Sequence, residues 1–320
     1  MPTEATGMPA EFDPATIFAN LKEERARQAK LPTIGQRFVV PREGLSLTGL
    51  PKEGVNTILY YPAEGIKRPE KLPVMFNMHG GAWIGGDAIL MESFCQQLAD
   101  EVPCMVVNVN YRKADEKPFP WQPEEVLDCI LYMRDHAEEY GIDPAKMGTG
   151  GHSAGAHLAA GAALMAKEAG IDLAVQMLVY PCVQMAPERK ENGEPSELDG
   201  LMGMLSQLMF QGAAGDYAID GKYASPLLAG DEVLKGSAPC IFVECGPDDL
   251  KPQGIAYAKR MIDLAVPVRI REFAGAEHGF LEVNRPEYPD EDPRKRPDQA
   301  ALARECEQYL IAELRACYYA

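Results

Sequence analysis

The pentapeptide Gly151-His152-Ser153-Ala154-Gly155 decides how this sequence folds and where its chemistry lies. It follows a short strand-like run, residues 146–149, and it opens an alanine-rich helical stretch, residues 154–167. A strand that turns this sharply into a helix has room only for small residues beside the serine, and the turn leaves the serine hydroxyl exposed above the sheet. The pentapeptide therefore predicts a nucleophile elbow with Ser153 as the nucleophile.

A serine nucleophile needs a base, and histidine is the usual one because its pKa lies near ~6.5. The chain has five histidines, which are His79, His136, His152, His157 and His278. In enzymes built on such an elbow the order along the chain is serine, acid, histidine, so the base must follow Ser153 at some distance. His278 satisfies this order, and it lies in a glycine-containing loop, residues 274–280, after a strand-like segment. We therefore predict His278 as the general base.

The triad acid is expected at the end of a buried strand between the serine and the histidine. Residues 239–245 form a continuous apolar strand, and the turn that follows contains Asp248 and Asp249. Either carboxylate could orient His278 and stabilise the imidazolium that forms during catalysis.

A glycine pair supplies candidate donors for the oxyanion. The segment His79-Gly-Gly-Ala-Trp83 ends the apolar strand of residues 72–77, and its glycines let backbone N–H groups point into a common space. Loss of one such donor typically lowers turnover by ~10²–10³. The predicted donors are the N–H groups of Gly81, Ala82 and Ala154, with Gly80 as an additional candidate.

Together these motifs resemble the hormone-sensitive-lipase-type esterases of the α/β-hydrolase superfamily, over residues 55–315. The resemblance implies an α/β-hydrolase fold, in which a mostly parallel central sheet has helices on both faces and carries a helical cap. In that family the aspartate of D-x-L, six residues before a glycine, is the triad acid, which implies Asp248. The matching segments are His79-Gly-Gly-Ala-Trp83, Tyr111-Arg112, Pro118-Phe-Pro120, Gly151–Gly155, Ala224-Ser-Pro-Leu-Leu228, Asp248-Asp-Leu250 with Gly254, and His278-Gly-Phe280.

Three positions depart from the pattern of that family. The oxyanion stretch has Ala82 where a third glycine is usual. The elbow has His152 where aspartate is commoner, a variant that also resembles kynurenine formamidases. The Tyr-Arg segment continues Lys113-Ala-Asp-Glu116 instead of Leu-Ala-Pro-Glu. None of these changes removes a catalytic group, but the first two leave the identity of the acyl substrate undetermined.

Strand-like and helix-like segments alternate along the chain, which predicts one domain, residues 1–320. The predicted strands are residues 56–61, 72–78, 104–111, 146–149, 175–180, 239–245 and 266–273. The predicted helices are residues 90–101, 124–140, 154–167, 252–264 and 298–316. Catalytic groups in such sheets gather at the carboxyl ends of the strands, where the serine, the acid, the histidine and the glycine pair all fall.

Two segments lie outside this alternation, residues 1–35 and residues 183–222, and the resemblance implies that both form the cap. The second segment is rich in methionine and leucine, and one interpretation makes it an adaptable apolar wall for an acyl or aryl group. The alternative, in which the same side chains are ordinary helix core, is equally compatible with the pattern. The predicted pocket residues are Trp83, Met202, Met204, Leu205, Met209 and Phe210.

Composition narrows the partners and the location. The net charge is −17, from 31 basic and 48 acidic residues, which disfavours nucleic acid and anionic membranes as partners. The first thirty residues lack the pattern of a signal peptide, and no run approaches the ~18 apolar residues of a membrane span, so we expect a cytoplasmic protein. The eight cysteines are scattered without C-x-x-C spacing and are expected to be reduced. No metal or organic cofactor is implied.

Three functional hypotheses follow. The leading one is a carboxylesterase that cleaves small-molecule esters of short-to-medium acyl chains through a covalent acyl-enzyme. The second is an amide or formamide hydrolase of the arylformamidase type, with the same triad. The third is a non-catalytic small-molecule receptor on an esterase scaffold; such receptors typically lose the triad base, whereas His278 is present. The resemblance also makes a homodimer through a sheet edge an expectation.

Overall fold

Eight strands form one sheet in the computed structural model, which describes residues 14–187, 203, 205–210 and 213–319. The strands are β1 (Gln36–Val40), β2 (Val55–Tyr60), β3 (Leu72–Met78), β4 (Met105–Val109), β5 (Ile142–His152), β6 (Val175–Val179), β7 (Cys240–Cys245) and β8 (Val268–Phe273). The helices are α1 (Pro14–Gln28), α2 (Glu92–Glu101), α3 (Trp121–Asp135), α4 (Ala137–Tyr140), α5 (Ala154–Glu168), α6 (Asp231–Leu234), α7 (Lys251–Asp263), α8 (Phe280–Val283) and α9 (Pro297–Tyr319).

The order of the strands is β1-β2-β4-β3-β5-β6-β7-β8. The pairs β1–β2 and β2–β4 are antiparallel, and the remaining pairs are parallel. Every residue of β3, β4, β6 and β7 is buried, which is why these strands are continuous apolar runs in the sequence. The predicted α/β-hydrolase fold with a mostly parallel sheet is confirmed.

Helices cover both faces of the sheet, and each face has its own apolar core. Buried side chains of α3, α5 and α7 belong to the core on one face. Buried side chains of α2 and α9 belong to the core on the other face. Because the strands from β3 to β8 run parallel, their carboxyl ends lie at one edge, where the predicted catalytic groups lie.

Several elements differ from the sequence prediction, among them the short helices α6 and α8, which were not predicted. Strand β1 was not predicted, because it is an edge strand with mostly exposed residues and so has no apolar run. Strand β5 is longer than residues 146–149, since its first half is polar and contains a register shift against β3. The predicted helix at 124–140 is two helices, α3 and α4, which meet at His136.

The two segments predicted as a cap both contain helical residues. Helix α1 contacts the loop after β3, where Arg25 Nη1 donates to the carbonyl oxygen of Ile84 at 2.6 Å. Residues 203 and 205–209 are helical, and the carbonyl of Met209 accepts a hydrogen bond of 2.8 Å from the N–H of Phe119. Much of the second predicted cap segment, including Met202 and Met204, lies outside the described residues.

Candidate active site

Ser153 lies at the sharp turn between β5 and α5. Its backbone has φ 54° and ψ −115°, a conformation that costs a non-glycine residue on the order of 1–3 kcal/mol. The N–H of Ser153 donates to the carbonyl of Val179, at the end of β6, at 2.9 Å. The turn therefore has the strained geometry of a nucleophile elbow, and a neighbouring strand anchors it.

The two glycines of the pentapeptide allow backbone segments to approach closely. A Cβ on Gly155 would lie 2.2 Å from the carbonyl oxygen of Met78, at the end of β3. A Cβ on Gly151 would lie 2.4 Å from the carbonyl carbon of Gly155. No side chain fits at these distances, so both positions require glycine. The start of α5 is thereby packed directly against the end of β3, from which the glycine pair continues.

The three predicted catalytic side chains lie within hydrogen-bonding distance of one another. His278 Nε2 is 2.8 Å from Ser153 Oγ, and His278 Nδ1 is 2.7 Å from Asp248 Oδ2. The second oxygen of Asp248 accepts the N–H of Leu250 at 2.9 Å, and the aspartate side chain is only 4% exposed. Asp249, the alternative acid, is exposed. The arrangement has the geometry of a Ser-His-Asp triad that includes Asp248.

The loop after β3 contains three consecutive residues with positive φ. The values are 118° at Gly81, 51° at Ala82 and 61° at Trp83. Within the described part of the chain, the N–H groups of Gly81 and Ala82 donate to no protein acceptor. The N–H of Ala154 lies in the first turn of α5, where helices leave N–H groups without intrahelical partners. These three groups are available as donors.

Gly80 differs from the other predicted oxyanion donors, and this part of the prediction needs correction. Its N–H donates to Glu282 Oε1 at 2.9 Å. Glu282 is buried, and its other oxygen accepts the hydroxyl of Tyr180 at 3.2 Å. Burial raises the pKa of the Glu282 carboxyl group. The Gly80 N–H is therefore already bonded to the Glu282 carboxyl group and is not available to a substrate oxygen. This bond holds the loop.

Comparisons with known proteins identify the family of this chain. A family profile described as the alpha/beta hydrolase fold matches residues 75–282, well over half of the chain. The chain belongs to the α/β-hydrolase family. A curated arylesterase from Saccharolobus solfataricus is 32% identical to this hydrolase over 221 residues, which are 68% of this chain and 70% of the relative. The predicted resemblance to esterases of this superfamily is confirmed.

Two further comparisons extend over more of the hydrolase. An arylacetamide deacetylase from Oryctolagus cuniculus is 27% identical over 338 residues, covering 86% of this chain and 83% of the relative. The crystal structure of a thermostable esterase from Pseudomonas putida ECU1011 superposes with a TM-score of 0.76 at 23% identity, covering 98% of this chain and 93% of that chain. At this identity the superposition shows that the fold is shared.

Two other histidines lie near the elbow of the hydrolase, but neither can act as the base. The ring of His152 is buried against Phe94 and Tyr180, and burial lowers its pKa to about 3. His157 Nδ1 accepts the indole N–H of Trp83 at 3.0 Å, while its Nε2 donates to a backbone carbonyl. Burial lowers the pKa of His157 to about 4. Both rings are therefore neutral and enclosed.

The described pocket candidates are mostly buried. Trp83 is 3% exposed, and Leu205 and Met209 are fully buried in the core that covers α5. Phe210 is half-buried, and its ring lies 4.9 Å from that of Phe119. The burial of Leu205 and Met209 fits the helix-core interpretation of their segment. Among the described candidates, Phe210 retains exposed surface.

The described part of the hydrolase lacks both a metal-binding cluster and a membrane-spanning helix. No group of three or more histidine, cysteine, aspartate or glutamate side chains is arranged there to hold a metal ion. No helix in the same residues has the length and apolar content that crossing a membrane requires. The eight cysteines are unpaired, and seven of them are buried.

The sequence pattern did not predict the residues outside the loop after β3 that hold this loop in place. Glu282 lies four residues after His278, and Arg25 lies in α1, far from any motif. Lys113 follows the Tyr-Arg pair directly and was noted only as a departure from the family pattern. This departure was the one available signal that Lys113 has a special role. Its burial could not be predicted, because a local pattern does not show whether a charged side chain is buried.

Proposed function

We propose that this hydrolase is a carboxylesterase in which Ser153 is the nucleophile, His278 the general base and Asp248 the residue that orients the imidazole. The observation that carries the proposal is the continuous pair of contacts, 2.8 Å from Ser153 Oγ to His278 Nε2 and 2.7 Å from His278 Nδ1 to Asp248 Oδ2. In this arrangement a carboxylate fixes the tautomer of the histidine that removes the serine proton.

The proposed reaction has two steps. Ser153 attacks the ester carbonyl while His278 takes the hydroxyl proton, and the N–H groups of Gly81, Ala82 and Ala154 receive the negative charge on the carbonyl oxygen. His278 then protonates the leaving alcohol, which leaves an acyl group on Ser153. In the second step His278 activates a water molecule that releases the acid and restores the serine.

Esters of short-to-medium acyl chains are the proposed substrates. The relative at 32% identity, named as an arylesterase, supports an ester substrate with an aryl or similarly compact group. The described helix at 205–209 is packed into the core through Leu205 and Met209, which leaves Phe210 as the described candidate for contact with a short acyl group. A chain-length series of p-nitrophenyl esters measures this preference directly, and a maximum at long acyl chains would contradict it.

Replacing Ser153 by alanine tests the proposed nucleophile. We expect kcat for p-nitrophenyl acetate to fall by about 10⁴–10⁶ without loss of folding, because the variant retains only binding and the oxyanion donors. Ser237→Ala is the matched control. It also removes a buried hydroxyl, but Ser237 lies before the start of β7, whereas Asp248 of the triad follows the end of that strand. A Ser153→Ala enzyme with the wild-type rate would show that the assignment is wrong.

Amide cleavage is a second candidate, because the relative from Oryctolagus cuniculus is named as an arylacetamide deacetylase. The formamidase variant has less support: His152, the residue that suggested it, is buried against Phe94 and Tyr180. Comparison of kcat/KM for phenyl acetate, acetanilide and N-formylkynurenine separates the three activities. We expect the order ester, then anilide, then formamide.

We also propose a cytoplasmic location and a homodimer through β8. The eight unpaired cysteines support a reducing compartment. Strand β8 is an edge of the sheet, and Ile270 on it is 40% exposed, which supports pairing with a second copy. Light scattering of the purified protein tests the dimer, and a monomer at all concentrations would contradict it.

A further inference from the structure

The loop that carries two of the proposed oxyanion donors cannot hold its conformation alone. Its residues Gly81, Ala82 and Trp83 all have positive φ, and a non-glycine residue in this region costs on the order of 1–3 kcal/mol. Such backbone persists only where surrounding groups fix it. The contacts around this loop therefore determine the direction in which its N–H groups point.

The direction of each N–H follows from the carbonyl of the preceding residue, because both belong to one planar trans peptide. The carbonyl of Gly81 accepts the N–H of Gly85 at 2.8 Å, which fixes the peptide that contains the Ala82 N–H. The carbonyl of Gly80 lies 2.5 Å from His79 Nδ1, and this contact fixes the peptide that contains the Gly81 N–H. The side chain of His79 thus controls one oxyanion donor.

Lys113 lies against the other ring nitrogen of His79, and its contact agrees with that of the Gly80 carbonyl on where the ring proton lies. Its Nζ lies 3.0 Å from His79 Nε2, 3.1 Å from Asn110 Oδ1 and 2.7 Å from the carbonyl oxygen of Tyr111. An ammonium group has three N–H donors and no acceptor, so each of these three partners receives one of its hydrogen bonds. His79 Nε2 must then accept, and the ring proton lies on Nδ1, where it is donated to the Gly80 carbonyl.

Of the two residues after Lys113, Ala114 contacts the loop directly and Asp115 acts on it through Arg25. The N–H of Ala114 donates to the carbonyl oxygen of Trp83 at 2.9 Å. Asp115 pairs with Arg25 at 2.6 Å, and the same guanidinium donates to the carbonyl of Ile84. Residues 113–115 therefore hold the loop near its beginning and near its end.

Stability alone does not account for a lysine at this position. The residue is only 3% exposed, and burial lowers the pKa of its amine to about 8. Burying an ammonium group costs free energy that an apolar side chain of the same length would not cost. The charged groups that face Lys113 are Asp87, Glu116, Glu125 and Arg25. The three carboxylates partly offset the cost, whereas the Arg25 guanidinium adds to it. The three hydrogen bonds give the ammonium a defined orientation.

We propose that Lys113 is a positioning residue for acyl transfer: it fixes the tautomer of His79 and thereby aims the Gly81 N–H at the oxyanion. The inference rests on the proposed reaction at Ser153, because it concerns a donor used in that reaction. Lys113 does not contact the reacting atoms. It acts through His79 and the Gly80–Gly81 peptide.

Steady-state kinetics of Lys113→Met test the catalytic consequence. We expect kcat for p-nitrophenyl acetate to fall about tenfold to a hundredfold, less than the ~10²–10³ that loss of a whole donor costs, with KM within about twofold. The variant should remain folded, with a free energy of unfolding within about 3 kcal/mol of the wild type, since the gain from removing a buried ammonium opposes the loss of its three hydrogen bonds. An unchanged kcat, or a change confined to KM, would overturn the proposal.

Lys117→Met is the matched control for the loss of a positive charge. Lys117 lies four residues further along the same segment, is half-buried, and pairs with the exposed Glu53 at 2.7 Å. This variant should have the kcat of the wild type. An equal loss of kcat in both variants would show a general charge effect and would also overturn the role of Lys113.

The tautomer of His79 can be measured in the wild-type protein without any turnover. Nitrogen-15 spectra of the imidazole ring at pH 7 should show a proton on Nδ1 and none on Nε2. A proton on Nε2 would overturn the positioning role even in an active enzyme. Conversely, a protein that cleaves no ester but has the expected tautomer would overturn the proposed function while the contact itself stands.

Discussion

The nucleophile elbow and the glycine loop are two strained turns at the same edge of the sheet, and they are held in different ways. Ser153 in the elbow has φ 54°, and Gly151 and Gly155 of its own pentapeptide allow the close backbone packing that fixes it. The loop has three consecutive positive φ values, and side chains from distant segments fix it, among them Lys113 and Glu282. The elbow is encoded locally, whereas the loop is encoded across the fold.

This difference predicts two kinds of failure. A change in the elbow should act through steric overlap, because its contacts are backbone against backbone. A change around the loop should act through lost hydrogen bonds, because its contacts are polar and each contributes only part of the restraint. Damage to the elbow should therefore be abrupt, and damage to the loop should be graded.

Gly155→Ala should have the largest effect. Its Cβ would lie 2.2 Å from the Met78 carbonyl oxygen, so β3 and α5 would have to separate. We expect a loss of at least about 3 kcal/mol in the free energy of unfolding, measured by urea denaturation, together with loss of activity. Gly203→Ala is the control, since a Cβ there meets no atom of the described residues within 4 Å. Equal stability of the two variants would contradict the steric explanation of the elbow.

Glu282→Ala should have an intermediate effect. The substitution leaves the Gly80 N–H and the Tyr180 hydroxyl without their acceptor, and each such loss costs on the order of 1–3 kcal/mol. We expect kcat to fall with the stability, as the loop loses one restraint. Glu282→Gln keeps an acceptor oxygen and should retain most of both properties. If the two variants had the same stability and the same kcat, the carboxyl group would not be what holds the loop.

His152→Leu should have the smallest effect at neutral pH and a clearer one in acid. Burial lowers the pKa of His152 to about 3, so between pH 6.5 and 3 the unfolded state binds a proton that the folded state does not. Stability from this group is complete above pH 6.5 and is lost as the pH falls; at pH 4.5 the loss is about 2–3 kcal/mol. Urea denaturation at pH 7 and pH 4.5 should show a smaller decrease in the free energy of unfolding for the variant than for the wild type. An identical decrease would contradict the lowered pKa of His152.

The same difference explains how much could be predicted from the sequence. The elbow and the order of Ser153, Asp248 and His278 depend on local strand-turn patterns, so the chain reveals them directly. Gly80 was predicted as a donor because its pattern matches that role, but Glu282 engages its N–H from 202 positions away in the chain. Lys113 gave no sign of burial, since a lone lysine beside a turn is usually at the surface.

Covalent labelling with a fluorophosphonate tests the central claim most directly. The reagent phosphonylates an activated serine, and peptide mass spectrometry locates the adduct. We predict a single adduct on Ser153, formed in proportion to the loss of esterase activity, and a greatly reduced rate of labelling in His278→Ala. An adduct on another residue, or full esterase activity after complete labelling of Ser153, would contradict the triad. A protein that is not labelled would instead fit the receptor hypothesis.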